Sequence, residues 1–236
     1  QQYVTRVNEM SGGRLKIEYL PAGAVVKPFE IIDAVSKGVL DGGHHVSGYW
    51  YGKSKVASLF GTGPVSGATP EIGLSWIQVG GGQQLWDKLV AKMNLNVVGF
   101  FSFPMPSQPL GWFKTSPPKK AKDLAGFKYR TIGLAADMLQ EMGMAVAQLP
   151  GGEIVPAMQR GVIDAFEFNN PTSDMRFGAQ DVAKYYSMGS FHQAQEFFEI
   201  IFNKDKYNAL PADLKAVLKY AAEAASTAST ATTAST

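Results

Sequence analysis

The chain has 236 residues, with 22 Lys plus Arg against 20 Asp plus Glu, a net charge of +2. A balance this close to neutral excludes nucleic-acid binding through a dense basic face, because the one basic run, Lys119, Lys120 and Lys122, is short. A composition 45% hydrophobic and 11% aromatic excludes global disorder, and the lack of cysteine excludes disulfides, thiol catalysis and Cys-ligated metal centres.

Gln1 is not a natural start, and the first ten residues read as a helix already under way, stopped by Gly13. Leu15, Ile17 and Tyr19 alternate as in a strand, and Pro21-Ala22-Gly23 turns the chain. A helix is expected from Glu30, closed by Gly38 and followed by a strand carrying His44 and His45. Adjacent histidines on a strand point to opposite faces, so one buried and hydrogen-bonded and one exposed is expected rather than a zinc site. Gly48 to Ser54 resembles a phosphate loop, but Ser47 stands where a glycine is needed and three aromatics block the backbone amides. Gly61-Thr62-Gly63 lacks the third glycine of a dinucleotide fingerprint, and no G-x-S-x-G elbow occurs. Residues 96–103 and 197–203 are rich in β-branched and aromatic side chains and read as strands that cross between two lobes. A further strand is expected over 127–131, with a helix starting near Leu134. An amphipathic helix is expected from Pro211 to Glu223; residues 224–236, only Ala, Ser and Thr, are read as placeholders for a helix whose side chains are not identified, a low-complexity tail being the alternative.

The chain repeats itself. Residues 30–44, EIIDAVSKGVLDGGH, and residues 153–167, EIVPAMQRGVIDAFE, match without a gap at Glu, Ile, Ala, Gly, Val and Asp. A helix, glycine stop, strand and Pro-Gly turn precede each copy. Strands alternating with helices at this spacing predict an α/β fold with parallel sheets covered on both faces, in two like lobes. By symmetry, the first lobe's opening strand is expected upstream of Gln1. Lobe I is expected over 1–104 plus 204–236 and lobe II over 105–203. Two hinged lobes closing over an interlobe cleft match the Venus-flytrap architecture of periplasmic binding proteins.

Candidate ligand residues lie near strand ends. Arg130 ends the 127–131 strand before a helix, where a guanidinium can grip a carboxylate with two parallel hydrogen bonds; pairing with a surface acid is the alternative. Glu167, between Phe166 and Phe168, needs a cation, donors or a raised pKa if it is buried; a solvent-facing strand end is its alternative. Gln108, after a Pro-rich turn, offers an amide oxygen able to ligate a hard cation. Tyr49 and Trp50 are expected either as an aromatic cleft wall or as core.

Several of these residues also carry a family resemblance. The run from Met10 (MSGGRLKI), Tyr49-Trp50-Tyr51-Gly52-Lys53, Gly80-Gly81-Gly82 with Leu85-Trp86, Gln108 with Gly111-Trp112-Phe113, DLAGFKYR over 123–130 and GVIDAFE over 161–167 together resemble the extracytoplasmic receptor subunit of TRAP transporters, nearest the branch that binds 2-oxo acids and related monocarboxylates. The resemblance implies a periplasmic, non-enzymatic receptor that delivers an organic acid to TRAP membrane subunits, with no organic cofactor and with a homodimer allowed. It implies that Arg130 grips the substrate carboxylate. It further implies that Gln108, Glu167 and the backbone carbonyl of Phe168 hold a sodium or calcium ion that also touches the substrate. Phe168 stands where those receptors carry tryptophan, and Asn169 adds an amide able to meet a hydroxyl or oxo group. Two competing functions are a lyase or isomerase using Glu167 as general base beside a metal, and a ligand-binding sensor domain.

Overall fold

The computed structural model describes residues 2–63 and 69–234, with side chains through residue 226. The chain divides into two compact units, one of Gln1–Ser47, Glu71–Met105 and Phe197–Thr236, the other of Gly48–Pro70 and Pro106–Glu196. Compared with the expected boundaries, residues 48–70 join the second unit, and Met105 and residues 197–203 the first. The reasons are local. The strand through 197–203 pairs with the strand at 42–46, and Tyr51 and Lys55 both hydrogen-bond Asp137 of the second unit.

The first unit holds α1 (Gln2–Met10), α2 (Ile31–Ser36) and β1 (Gly42–Val46), then α4 (Pro70–Val79, its first residue in the second unit), α5 (Gly82–Lys92) and β2 (Val97–Met105). It ends with β8 (Glu196–Asn203), α10 (Lys204–Asn208) and α11 (Ala212–Ala234). Its three strands lie in the order β1-β8-β2, with β1 antiparallel to β8. The helix α11 packs on β2 and α1, where Tyr3, Val7, Ile200, Leu218, Ala221 and Ala222 form the core and Tyr3 donates to the Leu218 carbonyl at 3.1 Å. The Ala/Ser/Thr run is therefore helical as far as Ala234. His45 is buried against Glu199, its Nε2 3.3 Å from Oε2, while His44 is exposed, as the strand alternation requires.

The second unit holds α3 (Lys55–Gly61), β3 (Gly111–Phe113), β4 (Lys128–Arg130), α6 (Leu134–Glu141) and β5 (Ala145–Ala147). These are followed by α7 (Gly151–Gln159), β6 (Ala165–Phe166), α8 (Pro171–Arg176), α9 (Ala179–Val182) and β7 (Tyr185–Ser187). Its five-stranded sheet runs β5-β4-β6-β3-β7. β4 is parallel to β5 and β6, whereas β3 is antiparallel to β6 and β7. The expectation of parallel sheets is thus corrected: the five-stranded sheet is mixed, and in the three-stranded one β1 runs antiparallel to β8. Strands of two or three residues carry too little alternation to reveal direction, and an antiparallel neighbour needs no crossover helix to announce it.

The internal repeat is structural. Gly38 after α2 and Gly161 after α7 have φ of +75° and +72°. Val39 donates to the Ala34 carbonyl and Val162 to the Ala157 carbonyl, each at 2.9 Å. The two matched Ala–Gly–Val sets thus build the same left-handed helix stop. The expected strand over Leu15, Ile17 and Tyr19 joins no ladder. Its counterpart β5 pairs with β4, the strand before α6; among the described residues no strand precedes α1.

Candidate functional site

The parallel neighbours β4 and β6 put Arg130 opposite Phe166, so the residues leaving the carboxyl ends of these strands emerge side by side. Ligands of open α/β sheets gather at such ends. Arg130 and Glu167 meet there, each only 1% exposed. Nη1 of Arg130 donates to the Glu167 carboxylate Oε1 at 2.9 Å and to the Glu167 carbonyl at 2.6 Å, and Nε donates to the Leu149 carbonyl at 2.8 Å. Three of the five guanidinium N–H groups are thereby used. The two on Nη2 have no acceptor among the described residues. The arginine therefore pairs with a buried acid, not a surface one.

Gln108 is also 1% exposed. Its backbone N–H donates to the Gln193 carbonyl at 2.9 Å, and its Nε2 donates to the Pro106 carbonyl at 3.1 Å. With both bonds fixing the amide, Oε1 is left buried without a donor among the described residues, at a cost of about 1–3 kcal/mol unless a ligand or cation meets it. Gly111 opens β3 three residues later in a left-handed conformation, φ +89°. A Cβ there would lie 2.2 Å from the Phe166 carbonyl oxygen and 2.9 Å from the Glu167 Cα, which shows how tightly β3 is seated against the chain that presents Glu167.

The guanidinium of Arg130 sits 5.5 Å from the centre of the Phe168 ring, a cation–π contact that also limits how far the head can swing. Phe168 in turn meets Phe177 edge-on at 5.2 Å. Tyr49 is half-buried. Burial raises its hydroxyl pKa, the Arg130 charge opposes this, and its oxygen accepts from the Gly151 backbone. Trp50 is buried in the core. Asn169 accepts from Asn170 at 3.2 Å, and Asn170 caps α8 through Ser173 N–H at 3.0 Å.

Four further polar residues escaped the sequence reading. His192, Gln193, Glu196 and Asp174 are all buried. His192 Nε2, both amide atoms of Gln193 and Glu196 Oε2 have no partner among the described residues. Burial lowers the His192 pKa, with Glu167 opposing and Arg130 assisting. Burial first, then the Glu167 charge, holds Glu196 well above the ordinary carboxylate range. The available signal was the polar run His192-Gln193-Ala194-Gln195-Glu196 directly before an apolar strand, an unusual way to enter a core.

Asp174 accepts from Trp112 Nε1 at 3.0 Å and from Ser173 Oγ at 3.1 Å, yet burial raises its pKa from 3.8 to about 7. The folded state then holds a proton that the unfolded state releases, so Asp174's contribution to stability declines as pH rises between those values. Thermal melts across this range should show the melting temperature of the wild type falling with pH relative to Asp174→Asn, whose profile is flatter; parallel profiles would refute the assignment.

Among the described residues no three His, Cys, Asp or Glu side chains cluster with metal-ligating geometry, and no helix is long and apolar enough to cross a membrane. A cation here would need amide and main-chain oxygens beside a carboxylate, the donor set of sodium or calcium rather than zinc.

The sequence profile of bacterial extracellular solute-binding protein, family 7, matches residues 1–235. A monocarboxylate 2-oxoacid-binding periplasmic protein of Nostoc sp. is 34% identical over 221 residues, 94% of this chain and 60% of that one. A TRAP transporter solute-binding protein of Bordetella bronchiseptica, solved with copurified calcium and picolinate, superposes with a TM-score of 0.91 at 30% identity, covering 98% of this chain and 68% of that one. A TRAP periplasmic solute-binding protein of Pseudoalteromonas atlantica, solved with sodium and pyruvate, gives 0.87 at 31% identity, covering 97% and 69%. The chain thus spans about 60% of the length of the Nostoc relative, and its two-unit α/β architecture is that of periplasmic binding proteins. With a match that runs from the first residue to the last but one, the chain belongs to the bacterial extracellular solute-binding protein family 7.

Proposed function

We propose that this chain belongs to a periplasmic receptor that captures a small 2-oxo acid or related monocarboxylate together with a sodium or calcium ion and hands it to TRAP membrane subunits. The observation that carries this reading is the buried Arg130–Glu167 pair, with Nη2 of the arginine still unpaired, in the same unit as the donorless Oε1 of Gln108. Picolinate and pyruvate, the ligands of the two solved relatives, share a carboxylate with a second donor atom one carbon away. That unit chelates a hard cation while leaving an oxygen for a guanidinium.

In this reading Arg130 Nη2 binds the carboxylate, and the stacked Phe168 ring and the Leu149 carbonyl hold the guanidinium plane. Gln108 Oε1, the free Oε2 of Glu167 and the Phe168 main-chain oxygen would hold the ion. When bound, it offsets anionic charge in a poorly hydrated site. Tyr49 and the Asn169 amide are proposed to meet the ligand's oxo or hydroxyl oxygen. Trp50 lies in the core. Binding rather than turnover is favoured by the pairing of Glu167 Oε1 with Arg130, which engages that oxygen within the protein.

Calorimetry of the protein with pyruvate, longer 2-oxo acids, lactate and succinate, in sodium and in calcium buffers, tests the proposal. Monocarboxylates with an adjacent oxygen should bind at micromolar or tighter Kd and lose affinity when the cation is withdrawn. No heat for any acid in cation-replete buffer would overturn it.

A further inference from the structure

Glu196 is a buried carboxyl for which neither the Arg130–Glu167 pair nor the Gln108 amide accounts. It is 3% exposed, and its Oε2 has no donor among the described residues. A buried carboxyl in that condition requires a cation or a proton. The segment that ends in Glu196 is bonded to the segment that carries Gln108. Gln193, three residues before it, accepts the backbone N–H of Gln108 at 2.9 Å and lies within 3.5 Å of the Ser107 hydroxyl. Glu196 is also electrostatically coupled to Glu167, which disfavours its ionisation, and to Arg130, which favours it. The charged neighbours are thus Glu167, Arg130 and Asp174, of which Asp174 has donors of its own in Trp112 and Ser173.

We propose that Glu196 is the second carboxylate of the cation site and makes it prefer a divalent over a monovalent ion. The inference rests on the reading of this site as a cation-assisted monocarboxylate receptor. Its physical content is charge balance in a desolvated volume. Arg130, Glu167, an ionised Glu196 and a bound monocarboxylate leave two net negative charges, which one calcium ion neutralises. With Glu196 uncharged only one net negative charge remains, and sodium suffices. Uncompensated charge is expensive where water is excluded, so the ion that restores neutrality binds best, and the number of anionic ligands is the main control on calcium affinity in oxygen-ligand sites. The partnerless amide of Gln193, next in the same segment, suits a ligand shell larger than three protein oxygens.

The test is pyruvate calorimetry on the wild type, Glu196→Gln and Glu196→Asp, each in calcium or in sodium after chelation, with melting curves recorded in both ions to follow cation binding without pyruvate. The wild type should bind pyruvate more tightly in calcium. Glu196→Gln, nearly isosteric, should lose about tenfold or more of the calcium-supported affinity and most of the calcium-induced rise in melting temperature, with a smaller loss in sodium, so that its calcium-to-sodium affinity ratio falls. Glu196→Asp keeps the charge and should keep the calcium preference. A Gln variant with an unchanged calcium-to-sodium ratio, or a wild type that binds pyruvate equally well in either ion, overturns the assignment of Glu196. A wild type that binds no monocarboxylate in either ion overturns instead the receptor reading on which it rests.

Discussion

Arg130→Ala is expected to abolish measurable carboxylate binding and to destabilise the fold by about 3–5 kcal/mol. Both effects have one cause. The guanidinium is the cation facing Glu167, which is 1% exposed. Truncation leaves that carboxylate without its charged partner and the Leu149 and Glu167 carbonyls without their donor. Breaking a buried pair costs more than the pair itself contributes, because the survivor keeps its full desolvation penalty. Arg130→Lys separates the two effects. One ammonium restores a charge near Glu167 and recovers part of the stability, but it lacks the planar fork that reaches Leu149 and Glu167 while presenting a third nitrogen outward. Urea titration should therefore rank wild type above Lys above Ala, with ligand affinity lost in both variants by about 2 kcal/mol or more. A lysine variant with wild-type affinity would mean that the anion is held elsewhere.

The ingredients of this site differ in how visible they are before folding. Arg130 announces itself because a strand pattern ends on it and a helix starts at Leu134, and Glu167 because it closes the second copy of the repeat. Their meeting is not local. It depends on β4 and β6 being direct parallel neighbours, a pairing across more than thirty residues that no periodicity encodes. Gln108 was readable as a candidate, whereas its orphaned oxygen follows from where the Gln193 carbonyl pins the chain. Glu196 stayed hidden because it adjoins the apolar run of β8, and strand periodicity says which face a side chain takes, not what waits there. The direction of β3 was lost for the same reason, and with it the mixed character of the sheet. The repeat was fully legible, since its glycine stops are one-residue signals with a local mechanism.

Gly111→Ala is the substitution expected to damage the second unit most per atom added. Its φ of +89° lies where an alanine is strained by roughly 1–2 kcal/mol. Relaxation is blocked by backbone, since the new methyl would sit 2.2 Å from the Phe166 carbonyl oxygen and 2.9 Å from the Glu167 Cα. Rotating a side chain away relieves neither contact, so β3 must move off β6 at the Trp112–Phe166 pair. Overpacking of this kind adds about 1–3 kcal/mol. The sum corresponds to a melting temperature lower by roughly 5–15 °C for a chain of this size. Gly152→Ala is the control. It lies in the first turn of α7 with open space around it, and alanine there should raise stability by about 0.5–1 kcal/mol. Ligand affinity should separate the pair further. Gly111 lies between Gln108 in sequence and Glu167 in space, so shifting β3 pulls apart the amide oxygen and the carboxylate proposed to share one cation. Gly111→Ala should therefore lose cation-dependent binding at temperatures where it is still folded, while Gly152→Ala keeps it. Equal affinity in the two variants, measured below both melting transitions, would show that the seating of β3 against Glu167 is irrelevant to binding.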